Sequence, residues 1–271
     1  MYPLLLQLGP ISIHTYGFMI AVGFLASIHV AKRLSIRSHL NVDQVLDLAF
    51  YNLIVGLLGA RLLFVITRFS YFANAPLDIF KIWEGGLVFL GGPLAVFPFM
   101  IFYAKKHRLN IWKVMDAMAP GLALGHAFGR FGCLAAGCCY GKPTGTSFGI
   151  RLNSELVDRS LHGVLLHPTQ LYEAFSLFLL SAGLAYIFKI KKFDGQVAFS
   201  YLLTYPVIRS VIEVFRGDLI RGFIIDDVLS TSQFISLLVF LGAAALLVFR
   251  LGQVKNSSRS SKKIVQPSSQ A

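Results

Sequence analysis

Seven apolar runs, each of about the length that crosses a bilayer, constrain the fold of this chain more than any other feature. A transmembrane helix needs about 20 predominantly apolar residues. Inside hydrocarbon the backbone must satisfy its own polar groups, so runs of this kind form helices. The runs are 11–30, 45–66, 85–103, 114–132, 171–188, 197–215 and 230–249. The sequence therefore predicts an all-α polytopic membrane protein with about seven transmembrane helices.

The charge balance limits the classes of partner. The net charge is +12, but only 14% of the residues are charged and 55% are hydrophobic. The basic residues lie in short segments between apolar runs, where membrane topology explains them. No basic helix or stacking platform stands apart from the runs, so we exclude nucleic acid as a partner. Membrane lipids are the expected surroundings.

The basic segments also predict the orientation in the membrane. Most of the 25 Lys and Arg residues follow the first, third, fifth and seventh runs. Loops rich in Lys and Arg stay in the cytoplasm. We therefore expect the N-terminus outside and the C-terminus in the cytoplasm.

One long connection and one polar tail complete the predicted organisation. Residues 133–168 are rich in Gly, Pro, Thr and Ser, and the alternation of Phe148, Ile150 and Leu152 predicts a short strand. We interpret this connection as a small extracytoplasmic cap on a transmembrane catalytic domain at 1–252. Residues 253–271 are Ser-rich and are predicted to be a disordered cytoplasmic tail.

Two arginines near the ends of apolar runs indicate a functional site, since a charge in hydrocarbon is costly. If the runs holding Arg130 and Arg209 end on the same side, two guanidinium groups converge at the lipid headgroups and can bind phosphate bidentately. No acidic residue lies near Arg130 in its own run. The sequence therefore predicts that an external anion balances its charge.

Arg209, Glu213 and Arg216 have a spacing that places them on one helix face. Glu213 is positioned to orient either arginine. An internal salt bridge that closes a helix end and a ligand site that uses the arginines are both consistent with this spacing.

Two further candidates lie between Arg130 and Arg209 in the sequence. Gly141 belongs to a group of glycines that could expose N–H groups to an anion or simply allow helices to pack closely. His167 lies in a polar segment that begins the fifth run, where it is a candidate base or part of a helix cap.

Tyr16 and Arg61 are the candidates in the first two runs. Tyr16 is a catalytic candidate, although anchoring at the membrane interface is the commoner role of such a tyrosine. Arg61 is a further outer-half cation, with Asp47, Asp116 or a lipid phosphate as its partner.

Three cysteines, Cys133, Cys138 and Cys139, lie within one short stretch. They do not have the spacing of a disulfide framework. Metal binding, redox chemistry and packing of small residues at a crowded helix end are the three interpretations, and packing is favoured.

An ordered set of motifs resembles the prolipoprotein diacylglyceryl transferases, and it extends over most of the chain. The motifs are HTYG at 14–17, GAR at 59–61, GGL at 85–87, GG at 91–92, Asp116 with AP at 119–120, GRFG at 129–132, Gly141, HPTQLYE at 167–173, Arg209 and EVFR at 213–216. Each motif alone is weak, but the ordered set is specific.

The resemblance implies an enzyme of the bacterial inner membrane that transfers diacylglycerol from phosphatidylglycerol to the lipobox cysteine of a preprolipoprotein. Glycerol phosphate is the other product, and neither cofactor nor metal is expected. By resemblance, Arg130 binds phosphatidylglycerol and Arg209 is a second essential arginine, while Arg61, Arg216 and Gly141 join the lipid site. Glu213 completes the catalytic candidates.

Two departures from the family pattern affect the chemistry. Leu90 stands where many members carry a histidine that is proposed as the base, and leucine cannot accept a proton. Cys133, Ala136 and Cys138 stand where many members carry Asn, Asn and Glu. Either His167 or Glu213 is the base, or a cationic field lowers the pKa of the substrate thiol.

Three other functions remain as alternatives. An anion transporter or channel would use its arginines as a pathway and distribute them through the membrane depth. A thiol oxidoreductase would use Cys138 and Cys139, although no CxxC motif occurs. The third alternative is a paralogue with altered or lost activity, since a fold does not guarantee its chemistry.

Overall fold

The computed structural model of the protein describes residues 4–8, 11–82, 85–218, 222–225 and 228–265, and this part is mostly helical. Its α-helices are α1 (Thr15–Arg37), α2 (Val42–Thr67), α3 (Phe69–Asn74), α4 (Gly91–Lys106), α5 (Ile111–Ala136), α6 (Thr169–Ile190), α7 (Gln196–Val214) and α8 (Thr231–Val265). Three short antiparallel hairpins pair β1 (Leu4–Leu8) with β2 (Ile11–His14), β3 (Ile150–Arg151) with β4 (Leu165–Leu166), and β5 (Phe223–Ile225) with β6 (Leu229–Ser230).

Five helices of the described part are long and apolar enough to cross a membrane, judged by length and composition. They are α1, α2, α6, α7 and the Thr231–Lys255 part of α8. The prediction of a mostly helical membrane protein is therefore confirmed. Helix α4 has 16 residues, which is below the usual range of about 17–25 for a crossing. Seven crossings and their orientation remain predictions.

Two apolar runs begin later as helices than predicted. Residues 11–14 form β2, where Ile11 and Ile13 alternate with polar residues and pair with β1, so α1 begins only at Thr15. The third run was expected to be helical from Gly85. Gly85 and Gly86 have φ values of 87° and 72°, which exclude a right-handed helix at these two residues. Helix α4 begins at Gly91.

The helices form two compact units, which are residues 31–117 and residues 1–30 with 118–271. In the first unit, α2 packs against α4. In the second unit, α7 packs against both α6 and α8. Hydroxyl groups add polar contacts there: Ser27 on α1 donates to the Gly121 carbonyl at 2.7 Å, and Ser181 on α6 donates to the Pro120 carbonyl at 2.8 Å. Such interhelical bonds are typical of membrane helices.

The connection at 133–168, named here the cap segment, has a small core of its own. Tyr140, Leu152, Val157 and Leu166 are buried together beside the β3–β4 hairpin. The short strand predicted near Ile150 is confirmed.

The last helix continues beyond the predicted domain boundary. Helix α8 runs through Val265, because no proline or glycine interrupts the sequence between Gly252 and Pro267. Residues 266–271 lie outside the described part, and the disordered tail at 253–271 stays a prediction. The domain boundary at 252 remains a prediction.

Candidate active site

The site is built around one buried carboxylate, that of Glu173, in the first two turns of α6. Its Oε1 lies 2.8 Å from Nη2 of Arg130 and accepts a hydrogen bond from the Tyr205 hydroxyl at 3.2 Å. Nε2 of His126 lies 3.7 Å from the same oxygen. Glu173 is only 1% exposed. One carboxylate therefore joins side chains from α5, α6 and α7.

This contact corrects the prediction that Arg130 lacks an acidic partner. The partner lies on α6, some forty residues away along the chain, so the arginine's own run could not reveal it. Glu173 also lies within electrostatic range of Arg209 and Arg216. Nε of Arg130 is buried and has no hydrogen-bond partner in the described part of the chain. One donor therefore remains available to a ligand.

Arg209 forms the second ion pair of the site. Its Nη2 contacts Oε2 of Glu213 one helical turn further on, as the spacing of four residues predicts. Arg209 is 5% exposed, and its buried Nη1 has no hydrogen-bond partner within the described residues. The internal salt bridge is thus present, and a second unused donor accompanies it.

Arg216 is held by Asp218. Nε donates to Oδ1 at 2.8 Å and Nη2 to Oδ2 at 2.6 Å, which is a bidentate pair. Burial acts to lower the pKa of Arg216, but the hydrogen bonds and charge of Asp218 outweigh burial and raise that pKa. Glu213 therefore orients Arg209, while Asp218 orients Arg216. Three carboxylates formally balance three arginines, so charge balance in the site does not require the external anion that was predicted for Arg130.

Gly141 lies where three chain segments meet. Its N–H donates to the His167 carbonyl at 3.0 Å, so it is not available to an anion. A Cβ at Gly141 would lie 2.5 Å from the His167 carbonyl oxygen and 2.8 Å from that of Phe215. Glycine is therefore needed for close approach of backbone, and the geometry favours a structural role over the predicted lipid contact.

His167 and Tyr16 lie at different parts of the site. Nδ1 of His167 is 3.2 Å from the Tyr172 hydroxyl, and its ring packs edge-on against Phe215. Tyr16, in the first turn of α1, is 45% exposed and lies within electrostatic range of Arg130. The structure thus brings Tyr16 towards Arg130, whereas His167 joins the cap segment to α6.

Arg61 belongs to the unit at 31–117, and its contacts differ from those predicted. The guanidinium donates to five backbone carbonyls and lies over the rings of Phe64 and Phe72. The five carbonyls are those of Asp78, Ile79, Lys81, Gly85 and Gly86. Because an arginine has five N–H donors, none remains for Asp47, Asp116 or a lipid phosphate. Arg61 instead holds the loop that precedes α4.

The three cysteines converge at the end of α5. Their sulfur atoms all lie within 4.8 Å of one another, and none forms a disulfide. Thr169 donates to the Cys139 carbonyl and Gln170 to the Cys138 carbonyl, each at 2.7 Å. Hydrogen bonds with the other two thiols, together with burial, raise the pKa of Cys138.

Sequence reasoning missed Glu173, His126 and Tyr205 as members of the site. Glu173 lies in the HPTQLYE segment, whose unusual polar density was the available signal. His126 precedes Arg130 by four residues and therefore shares its helix face. Tyr205 had no local signal, because its partner lies on another helix.

A family model described as prolipoprotein diacylglyceryl transferase matches residues 3–249. The chain belongs to this family. The match includes every residue of the site, from Tyr16 to Asp218.

Individual transferases are similar over nearly the whole chain. The phosphatidylglycerol–prolipoprotein diacylglyceryl transferase of Clostridium tetani is 34% identical over 259 residues, covering 94% of this chain and 99% of the relative. The Staphylococcus aureus (strain JH9) enzyme of the same name is 32% identical over 253 residues, covering 92% of this chain and 88% of the relative.

Proposed function

We propose that this chain is a phosphatidylglycerol–prolipoprotein diacylglyceryl transferase. The observation that carries the proposal is the family match over nearly the whole chain. The names of the similar transferases supply both substrates, phosphatidylglycerol and a prolipoprotein. The acceptor is the cysteine thiol of the lipobox, and the products are a thioether-linked diacylglyceryl protein and glycerol phosphate.

Arg130 and Arg209 hold the phosphate in this proposal. Each has a buried donor without a hydrogen-bond partner in the described chain, Nε in Arg130 and Nη1 in Arg209. A buried donor without a partner costs free energy, and a phosphate oxygen relieves that cost. The same contacts stabilise negative charge on the leaving phosphate as the carbon–oxygen bond breaks.

The other candidates receive positioning roles. Glu213 orients Arg209, Glu173 orients Arg130, and Arg216 is held by Asp218 at the end of α7. Tyr16 is proposed to contact the bound lipid, because it is partly exposed and lies within electrostatic range of Arg130.

His167 is not the base in this proposal, because its ring belongs to the junction between the cap segment and α6. We expect His167→Ala to reduce stability by about 1 kcal/mol, as loss of a helix-start contact does. The dependence of lipidation rate on pH should be unchanged. A profile that loses one ionisation would restore His167 as the base.

The proposed setting is the bacterial inner membrane, which the chain crosses several times with its N-terminus outside. The cap segment and the arginines then lie at the outer face, where the lipobox of an exported protein arrives. The basic loops support this orientation. The rival proposal of an anion pathway is disfavoured, because a pathway distributes its arginines through the membrane depth, whereas these three lie near the C-terminal ends of α5 and α7.

Lipidation of a defined peptide tests the function. Purified protein in micelles containing phosphatidylglycerol should transfer diacylglycerol to a lipobox peptide, detected as the mass of the thioether product. A peptide with serine in place of the lipobox cysteine is the matched control and should stay unmodified. Absence of product with folded protein and the cysteine peptide would contradict the proposal.

A further inference from the structure

The cysteine cluster has the dimensions of a metal site. The sulfur atoms of Cys133, Cys138 and Cys139 lie within 4.8 Å of one another. Zinc–sulfur bonds of about 2.3 Å place the sulfurs of a tetrahedral site about 3.8 Å apart. Closing onto a metal ion therefore needs only small side-chain shifts.

The backbone holds these thiols together through buried partners. Thr169 and Gln170, both almost fully buried at the start of α6, donate to the carbonyls of Cys139 and Cys138. Cys139 has a φ of 64°, a backbone conformation that L-residues rarely adopt. Contacts from another helix thus fix a turn that directs three thiols to one point.

The surrounding charge suits a trithiolate complex. Three thiolates and one divalent ion carry a net charge of −1. Arg216 lies within electrostatic range of Cys139, and Arg130 lies within electrostatic range of Cys133 and Cys139. These cations favour the anionic complex. Soft thiolate ligands select zinc over magnesium or calcium.

We propose that Cys133, Cys138 and Cys139 bind one zinc ion whose fourth position takes the cysteine thiol of the prolipoprotein. Three protein ligands with an open position are the pattern of catalytic zinc. The inference rests on the proposed transferase function and assigns the step that activates the thiol. The proposal departs from the resemblance, which implies no metal, at residues where the chain itself departs from the family pattern. Leu90 stands where many members carry a histidine, and Cys133 and Cys138 stand where many carry Asn and Glu.

The step conserves atoms and electrons. On binding zinc, the substrate thiol releases its proton to water and becomes a thiolate. The sulfur then attacks the glycerol carbon that carries the phosphate, forming the sulfur–carbon bond. The carbon–oxygen bond breaks and its electron pair stays on the oxygen of glycerol phosphate. No oxidant or reductant takes part.

Metal binding is tested with the full-length protein in detergent micelles. After chelation, the protein should bind one zinc ion per chain. Cobalt(II), used as a probe, should give the intense charge-transfer absorption of thiolate ligands. Each of Cys133→Ser, Cys138→Ser and Cys139→Ser should weaken binding by more than about 100-fold, because loss of a partner that only orients a ligand already costs about 10–100-fold. The matched control Ala135→Ser, in the same stretch, should bind as the original chain does.

Size-exclusion elution checks that each variant is folded. Removing the metal from the unaltered chain with a chelator tests zinc binding without any substitution. Binding that is absent in the unaltered chain, or that survives all three cysteine changes, would overturn the proposal.

Adding substrate separates this inference from the proposed function. The lipobox cysteine peptide should change the cobalt spectrum, whereas its serine analogue should not. Chelation should lower the lipidation rate at least about 10-fold, and zinc should restore it. Undiminished lipidation after chelation would overturn zinc activation while leaving the transferase function intact. A peptide-dependent spectral change without any lipidated product would support the metal–thiol site and contradict the transferase function.

Discussion

At the scale of single residues, the site depends on arginines that are paired but not saturated. Arg130 contacts Glu173, and Arg209 contacts Glu213, yet each arginine retains a buried donor. In Arg130 the unused Nε lies on the same guanidinium edge as the Nη2 that contacts Glu173, and in Arg209 the unused Nη1 is the neighbour of the Nη2 that contacts Glu213. In the proposed function these donors bind the phosphate.

The shape of the guanidinium at Arg130 should be as important as its charge. We expect Arg130→Lys to lower the lipidation rate almost as much as Arg130→Ala, by about 10²–10³-fold, because lysine lacks the planar fork. Rates with the lipobox peptide, normalised to folded protein, measure this. Near-normal activity of the lysine variant would show that Arg130 acts only through its charge.

The buried carboxylate of Glu173 should contribute to the stability of the folded protein. Glu173→Gln keeps an acceptor for Tyr205 but leaves the charge of Arg130 uncompensated, which we expect to cost about 3–5 kcal/mol. Thermal unfolding in micelles checks this value. Glu155→Gln is the matched control, because Glu155 is exposed in the cap segment, and its stability should be unchanged. Equal melting temperatures for both variants would argue against the Glu173 ion pair.

At the scale of elements, the cap segment is joined to the ends of two helices by backbone contacts. The Lys142 N–H donates to the Phe215 carbonyl at 2.8 Å. The Gly217 N–H donates to the Tyr140 carbonyl at 3.1 Å, and the His167 N–H donates to the Lys142 carbonyl at 3.0 Å. Gly141 lies at the centre of these bonds. The cap segment thereby sets the position of both the start of α6 and the residues after α7.

Substitution of Gly141 should loosen this junction. A Cβ there would overlap two backbone carbonyls, so we expect Gly141→Ala to cost about 1–3 kcal/mol, as overpacking does. Gly145→Ala is the control, since a Cβ at Gly145 meets no atom within 4 Å. Denaturation midpoints of the two variants should differ clearly. A stable Gly141→Ala protein would mean that the segments can separate without loss.

The loop before α4 depends in a similar way on Arg61. Lysine cannot donate to five separated carbonyls, so Arg61→Lys should make the segment at 76–82 more sensitive to protease in micelles. Arg68→Lys is the control, because the Arg68 side chain is exposed. Equal cleavage in both variants would show that the loop does not need the guanidinium.

At the scale of the whole molecule, the distribution of basic residues predicts one orientation in the membrane. In a chain whose native cysteines are replaced by serine, Gly145→Cys should react with an impermeant maleimide in intact cells. Ala271→Cys should react only after the cells are opened. The reverse pattern would invert the orientation and place the site at the cytoplasmic face.

Much of this architecture is encoded locally in the chain. The apolar runs specify the helices, because spanning length and hydropathy are properties of contiguous residues. The spacing of Arg209 and Glu213 specifies their ion pair, because residues four apart share a helix face. The ordered motifs specify the family, and the match to the family model confirms that prediction. The start of α4 was misjudged, since hydropathy does not report the positive φ of Gly85 and Gly86.

Other features depend on how distant segments pack. Glu173 reaches Arg130 from another helix, and Arg61 is surrounded by carbonyls of a loop that follows it by about 20 residues. The thiol of Cys133 lies close to those of Cys138 and Cys139, whose backbone carbonyls accept hydrogen bonds from Gln170 and Thr169 on α6. No periodicity encodes such contacts. A buried charge or thiol acquires its partner only when the helices pack, and the free energy of burial makes that partner necessary.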